Sequence, residues 1–414
     1  MDLSEKFEWL YGKGQAEFQK KRYDSTVKKF RELYGSGDLI MFSAPGRTEV
    51  GGNHTDHNKG CVLAAAVGLD VIAAVRPEEG NIIRVKSLGF PEDVIDITDL
   101  DIHPEEAGTS AALIRGVAAG FAKAGHSIKG FTAFTTSNVL KGSGLSSSAA
   151  FEVLIGTILS HTANAGEISA VEIAQIAQYA ENAYFGKPSG LMDQMASSEG
   201  GFITIDFADT QSPVIKSIPF DITGYDLIVV DTKGDHADLT PEYAAIPNEM
   251  KAVASYFGKS VLREVTKDDI TENIAVLREK FGDRAVARAY HFFDESARAI
   301  AEADALSCGN TEKFLSLVNA SGNSSYKFLQ NIYAVNDTAH EGLVMGLYAA
   351  EDVLCGEGAV RVHGGGFAGT IQIFSPCGLT DKLIARMEKV FGKDCCHRLF
   401  IRPVGGCAVT EVEA

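Results

Sequence analysis

Long hydrophobic runs are missing from this chain. The longest uncharged apolar run near its motifs, 61–69, ends at Asp70, well short of the roughly 20 residues that a membrane span needs. No membrane anchor is therefore expected. Basic residues are scarce too: 38 Lys and Arg stand against 55 Asp and Glu, a formal charge of −17. Nucleic-acid binding draws on a basic surface that releases counterions, so no nucleic-acid partner is expected either. Cysteines number seven, at 61, 308, 355, 377, 395, 396 and 407, and none forms a C-x-x-C pair. That pattern points away from a disulfide framework and toward reduced thiols in a cytoplasmic protein. The adjacent Cys395 and Cys396 lack the ligand spacing of a zinc site. The opening residues, MDLSEKFEWLYGKGQ, are charged and amphipathic without the apolar centre of a signal peptide.

What is present is ordinary globular material, 45% apolar and 22% charged over 414 residues, with no internal repeat. At about 100–200 residues per domain that length suggests two domains, with a boundary near residue 208 (1–208 and 209–414) and a cleft between them. Helical spacing marks 3–34, 107–124, 147–162 and 170–184, and β-rich stretches fall at 39–43, 62–75, 82–85, 131–139 and 202–207. The second half opens with a strand at 226–231 and an irregular polar stretch, 234–248. Helices follow over much of 249–258 and 284–355. It closes with strands at 359–363 and 369–374, a helix at 381–391 and a last strand at 398–403.

Four segments carry chemistry. Gly142-Ser143-Gly144-Leu145-Ser146-Ser147-Ser148 lies between a strand and a helix. Glycines there let a backbone approach an anion, the helix N-terminus offers free N–H groups, and serine hydroxyls can bond phosphate or Mg²⁺. It lacks the lysine of a P-loop, and alone it also fits a turn with a serine cap. Gly364-Gly365-Gly366 sits between two strands and alone fits a tight hairpin. A third cluster, Ala44-Pro45-Gly46-Arg47 followed by Gly52-Asn53-His54-Thr55-Asp56-His57, gathers donors and acceptors suited to a polyhydroxylated substrate, or to a surface loop. In the fourth, Glu181 closes a helix and a Gly-Lys-Pro-Ser-Gly turn leads to Asp193, bringing two carboxylates to either side of one loop. Phosphoryl transfer wants such a pair, one for Mg²⁺ and one facing the nucleophile; singly, each also fits a solvated helix-end charge.

Taken in order, over about three hundred residues, these segments resemble the galactokinase branch of the GHMP kinases. The resemblance implies an α+β fold of two domains, with mixed β-sheets packed with helices and an active site in the interdomain cleft. It implies ATP-dependent phosphorylation of the anomeric hydroxyl of galactose, with ATP and Mg²⁺ as cofactors. Asp193 would orient or deprotonate that hydroxyl and Arg47 would steady it. Asn53, His54, Asp56, Gly190 and Tyr243 would contact the sugar. Residues 142–148, with Gly365 and Gly366, would hold ATP, while Ser147, Ser148 and Glu181 would hold the metal.

The departures fall on the sugar side. The family usually has Glu where this chain has Asn53, near the sugar's C6 hydroxyl. Its usual proline before the phosphate loop is Leu140, and the arginine run expected after Tyr243 is Ala244-Ala245-Ile246-Pro247-Asn248. A neutral amide at 53 would tolerate a C6 carboxylate or a lost C6 group; galacturonate, N-acetylgalactosamine and arabinose are the alternative substrates. A catalytically silent sugar sensor is the remaining alternative; such relatives lack the Ser148-Ala149 pair present here.

Overall fold

The computed structural model describes residues 2–139, 144–187, 189–220, 222–234, 239–335 and 339–413, so Gly142 and Ser143 of the serine-rich turn lie outside the described residues. Its strands are β1 (Leu39–Gly51), β2 (Cys61–Pro77), β3 (Ile82–Ser87), β4 (Glu92–Asp96), β5 (Phe131–Ser137), β6 (Phe202–Asp206), β7 (Val214–Ser217), β8 (Tyr225–Asp231), β9 (Ala359–His363), β10 (Thr370–Pro376), β11 (Cys396–Leu399) and β12 (Cys407–Val412). The larger sheet runs β12-β1-β2-β5-β3-β4, and β6 and β7 extend the other end of β2; the smaller runs β11-β8-β10-β9. One pairing, β3 with β5, is parallel among otherwise antiparallel neighbours, so both sheets are packed with helices in an α+β arrangement.

Residue 208, the expected boundary, lies between β6 and β7, which pair as a hairpin, and the last strand, β12, returns to pair with β1 from Leu39↔Val412 to Ser43↔Cys407. The strand expected at 398–403 is β11 and ends at Leu399. β2 is buried along nearly its whole length because helices cover one face and the helical N-terminus the other. The single N-terminal helix expected over 3–34 is two, Leu3–Tyr11 and Ala16–Tyr34. The first ends where Gly12 takes a φ of 94° that a side chain would resist. These helices are fastened inward through Tyr11 and Arg22, which bond the buried Asp70 carboxylate at 2.6 and 2.5 Å; Arg402 adds a third contact at 3.0 Å. Burial pushes that carboxyl up, but the two guanidiniums outweigh it and hold it below its ordinary range.

A second correction concerns 234–248, expected to be irregular. The helix Thr240–Tyr256 covers most of it, with Pro241 in the first turn, where its missing N–H is no loss, and Pro247 inside. It buries Ile246, Met250 and Val253 against helices 274–281 and 283–307, and that packing offsets the proline. The expected helix 170–184 is α-helical only over Ala170–Tyr179 and continues as a π-turn, Ala180–Phe185, a wide turn often found at functional sites. Among the described residues no helix is long and apolar enough to cross a membrane.

Candidate active site

Three of the four motif segments meet at one point. Arg47, near the middle of β1, donates its backbone N–H to Leu145 O at 3.1 Å, and a Cβ on Gly46 would press on that same carbonyl. On the other side of the serine turn, Gly144 packs against Gly364 and against His363, the last residue of β9. Each motif holds a non-glycine residue in the left-handed region: His54 at φ 57°, Ser146 at 54° and Phe367 at 58°. Such conformations cost about 1–2 kcal/mol each and persist where the surroundings enforce them.

The fourth segment supplies the carboxylate. Asp193 lies in the first turn of the helix Met192–Glu199, where the helix dipole favours an anion. Arg47 grips its Oδ1 through Nε at 2.7 Å and Nη2 at 2.6 Å; a further guanidinium N–H bonds Gly144 O, and the Ser146 hydroxyl donates to Oδ2. Burial raises the Asp193 pKa, but Arg47, Ser146 and Lys187 together bring it below the ordinary carboxylate value. The group is a stable anion at neutral pH, with 27% of its side chain open.

Glu181, carried by the π-turn, is almost wholly buried. Its Oε1 accepts from Ser148 Oγ at 3.0 Å and Lys187 Nζ at 2.9 Å, and its Oε2 from Gln194 Nε2 at 2.8 Å. A magnesium ion with oxygens at 2.0–2.1 Å in octahedral geometry has neighbouring ligands about 2.9 Å apart. The Ser148–Glu181 pair has that spacing and hard oxygen donors, so the residues fit the ion. Ser147, the other serine expected there, opens the helix Ser147–Ala163. Gln194 also bonds the buried Glu152 at 3.1 Å; burial first, and Glu181 second, push the Glu152 carboxyl well up. The sequence reading gave no role to Gln194, which ends the stretch carrying the resemblance, or to Glu152, although Glu152 stands four residues after Ser148, on the same helical face.

The sugar-side residues divide. A Cβ on Gly190 would overlap Asp56 Oδ2, so glycine lets the two segments close on each other. His54 Nε2 pairs with Gly365 O at 2.9 Å, and Tyr243 donates to Gly366 O at 2.7 Å. With Asn331 on Gly365 O and Asn53 on Gly364 O, all three carbonyls of the glycine motif, including those of Gly365 and Gly366 expected at ATP, are held by side chains. Burial and the neighbouring His57 lower the His54 pKa to about 3, so the ring is neutral. Asn53 is fully buried, its Nδ2 donates to Glu49 (2.8 Å) and Gly364 O (2.8 Å), and its Oδ1 accepts from Asn331 (2.9 Å) and Ser325 (3.2 Å). That is the full capacity of an amide, and it ties the two sheets together.

Two family descriptions match the chain: the galactokinase galactose-binding signature over residues 28–77 and the GHMP kinases N terminal domain over 112–201. The chain is 30% identical over 370 residues to the galactokinase of Streptomyces coelicolor, spanning 88% of this chain and 92% of that one. It is likewise 30% identical over 359 residues to the galactokinase of Thermotoga petrophila, spanning 86% and 96%. The backbone matches the crystal structure of Lactococcus lactis galactokinase complexed with galactose at a TM-score of 0.81 and 22% identity, over 93% of this chain and 99% of that one. At that identity the likeness speaks for the fold alone. The Methanococcus jannaschii mevalonate kinase matches at 0.62 and 15% identity, over 89% and 99%. With a curated relative at this identity along nearly its whole length, and with the arginine, serine, carboxylate and glycine motifs brought together in space, the chain belongs to the galactokinase family of the GHMP kinases.

Proposed function

We propose that this protein transfers the γ-phosphoryl group of ATP to the anomeric C1 hydroxyl of D-galactose, giving galactose 1-phosphate and ADP. The observation that carries the reading is the Asp193 carboxylate, fixed by Arg47 and Ser146 at the edge of the serine-rich turn. Asp193 accepts the hydrogen of the sugar hydroxyl and aims its oxygen. As a stabilised anion it is a weak base, which suits a loose transition state in which orientation matters more than early proton removal. Arg47 holds Asp193 and balances charge at the reacting oxygen. The amides that open the helix Ser147–Ala163, with the turn before it, receive the phosphates. Ser148 and Glu181 would hold Mg²⁺, which when bound neutralises charge between the β- and γ-phosphates. Asp56, His54, Tyr243 and Gly190 shape the sugar side. The seven free thiols support a cytoplasmic location.

Galacturonate is the alternative that Asn53 motivates, and that amide is buried among protein partners. The test is ADP release with Mg-ATP and a panel of galactose, galacturonate, N-acetylgalactosamine and arabinose. The highest kcat/KM is expected for galactose. A higher value for another sugar overturns the substrate, and binding of sugar and ATP without turnover overturns the enzyme.

A further inference from the structure

Lys187 stands among the carboxylates of Glu181, Asp193 and Glu152 and, beyond its pull on Asp193, has no part in the chemistry above. Its backbone N–H bonds Glu181 O at 3.1 Å, closing the π-turn through Gly186, whose φ of 84° permits the reversal. Its side chain then folds back over the Glu181 carboxylate. The pair is asymmetric: Glu181 is 2% exposed and Lys187 57%. The carboxylate is fixed by the protein interior, whereas the ammonium sits on a flexible stem reaching in from solvent.

On Glu181 it is Oε1 whose lone pairs are both engaged. Oε2 accepts from Gln194, and Oε1 accepts from both Ser148 and Lys187. A carboxylate oxygen offers about two such positions. A Ser148 hydroxyl turns its hydrogen aside easily and can share a cation with Oε1, but the ammonium holds the other position with a full positive charge. A divalent ion at Oε1 thus meets a like charge within a few ångström, and one of the two must leave.

We propose that Lys187 is a positioning residue that guards the metal-binding carboxylate: its ammonium keeps the buried Glu181 neutralised and oriented, and a divalent cation must displace it from Oε1 to bind. The inference rests on the reading of Ser148 and Glu181 as the metal-holding pair. It gives the protein a threshold, because a metal arriving with the nucleotide's phosphates brings extra binding energy, whereas a bare ion competes with the lysine unaided.

The experiment compares the full-length protein with Lys187→Met, Lys187→Arg and Glu181→Gln, titrating Mn²⁺ alone without nucleotide and following free Mn²⁺ by electron paramagnetic resonance. Thermal melts with and without Mg²⁺ run in parallel. Lys187→Met is expected to bind bare Mn²⁺ about two- to fivefold more tightly, the weight of one partly exposed ion pair. It should melt lower without metal and regain that loss on adding Mg²⁺. Lys187→Arg should behave as wild type, and Glu181→Gln should weaken Mn²⁺ binding. Unchanged or weaker Mn²⁺ binding by Lys187→Met, with Glu181→Gln still weakening it, overturns the role of Lys187 and leaves the metal pair standing. If Glu181→Gln leaves Mn²⁺ binding unaltered, the metal pair itself falls, and the proposal with it.

Discussion

The side chains of this site are held by groups that no local sequence window contains. Asn53 takes its partners from positions 49, 325, 331 and 364. Its type and neighbours in the chain suggested a sugar contact, and only the fold shows an interior amide. Arg47 and Asp193 are the opposite case: 146 residues apart, they were legible through the resemblance of the ordered motifs, whereas singly the carboxylate also fits a solvated helix-end charge. His54 allows a test by pH. Its folded pKa of about 3 lies below the ordinary 6.5, as burial and then His57 dictate, with His291 and Arg288 adding to the effect. Between those values the unfolded chain binds the extra proton, so stability rises with pH across that window and is lost on acidification below about 6.5. Urea midpoints at pH 5 and pH 7.5 should therefore differ more for wild type than for His54→Gln. Equal differences would contradict a neutral, desolvated ring.

Among the elements, those with a clean period were readable: 131–137, 147–163, 359–363 and 380–391 all fall within a few residues of the pattern. The misses have physical causes. Thr240–Tyr256 was hidden by Pro241 and Pro247, because the sequence does not display the hydrophobic packing that outweighs an interior proline. β12 was hidden because only Val409 of its six residues is buried, and its partner β1 lies more than three hundred and fifty residues earlier. The π-turn was invisible because it differs from an α-helix by one residue of register, yet it aims Glu181. The glycine hairpin between β9 and β10 is the element most exposed to a single change. Gly366 has a φ of 83°, and a Cβ there would overlap Asn331 O. Gly366→Ala is expected to cost about 2 kcal/mol or more and, by moving the carbonyl that anchors Tyr243, to raise the sugar KM. Calorimetry and initial rates check both; an unchanged melting temperature would show that the hairpin is not under this constraint.

As an assembly, the protein brings distant parts of the chain to one place. β1 supplies Arg47, the turn before the helix Ser147–Ala163 supplies Ser146, the helix Met192–Glu199 supplies Asp193, and the smaller sheet supplies the glycine hairpin. The return of β12 to β1 and the clamp of Tyr11, Arg22 and Arg402 on Asp70 tie both chain ends to the sheet that carries Arg47. With a net charge of −17 the surface gives no help in holding a polyanion, which leaves that task to local devices such as the N-terminus of the helix Ser147–Ala163. All of this converges on one carboxylate. The decisive measurement is turnover of Asp193→Asn with galactose and Mg-ATP, alongside ATP affinity by calorimetry. Asparagine keeps the shape but loses the charge, and with its amide oxygen turned to Arg47 it presents an NH2 where the second carboxylate oxygen would accept the hydroxyl hydrogen. Turnover should fall by about 10²–10⁴-fold with ATP affinity little changed; a variant that keeps wild-type turnover would contradict the placement of phosphoryl transfer at Asp193.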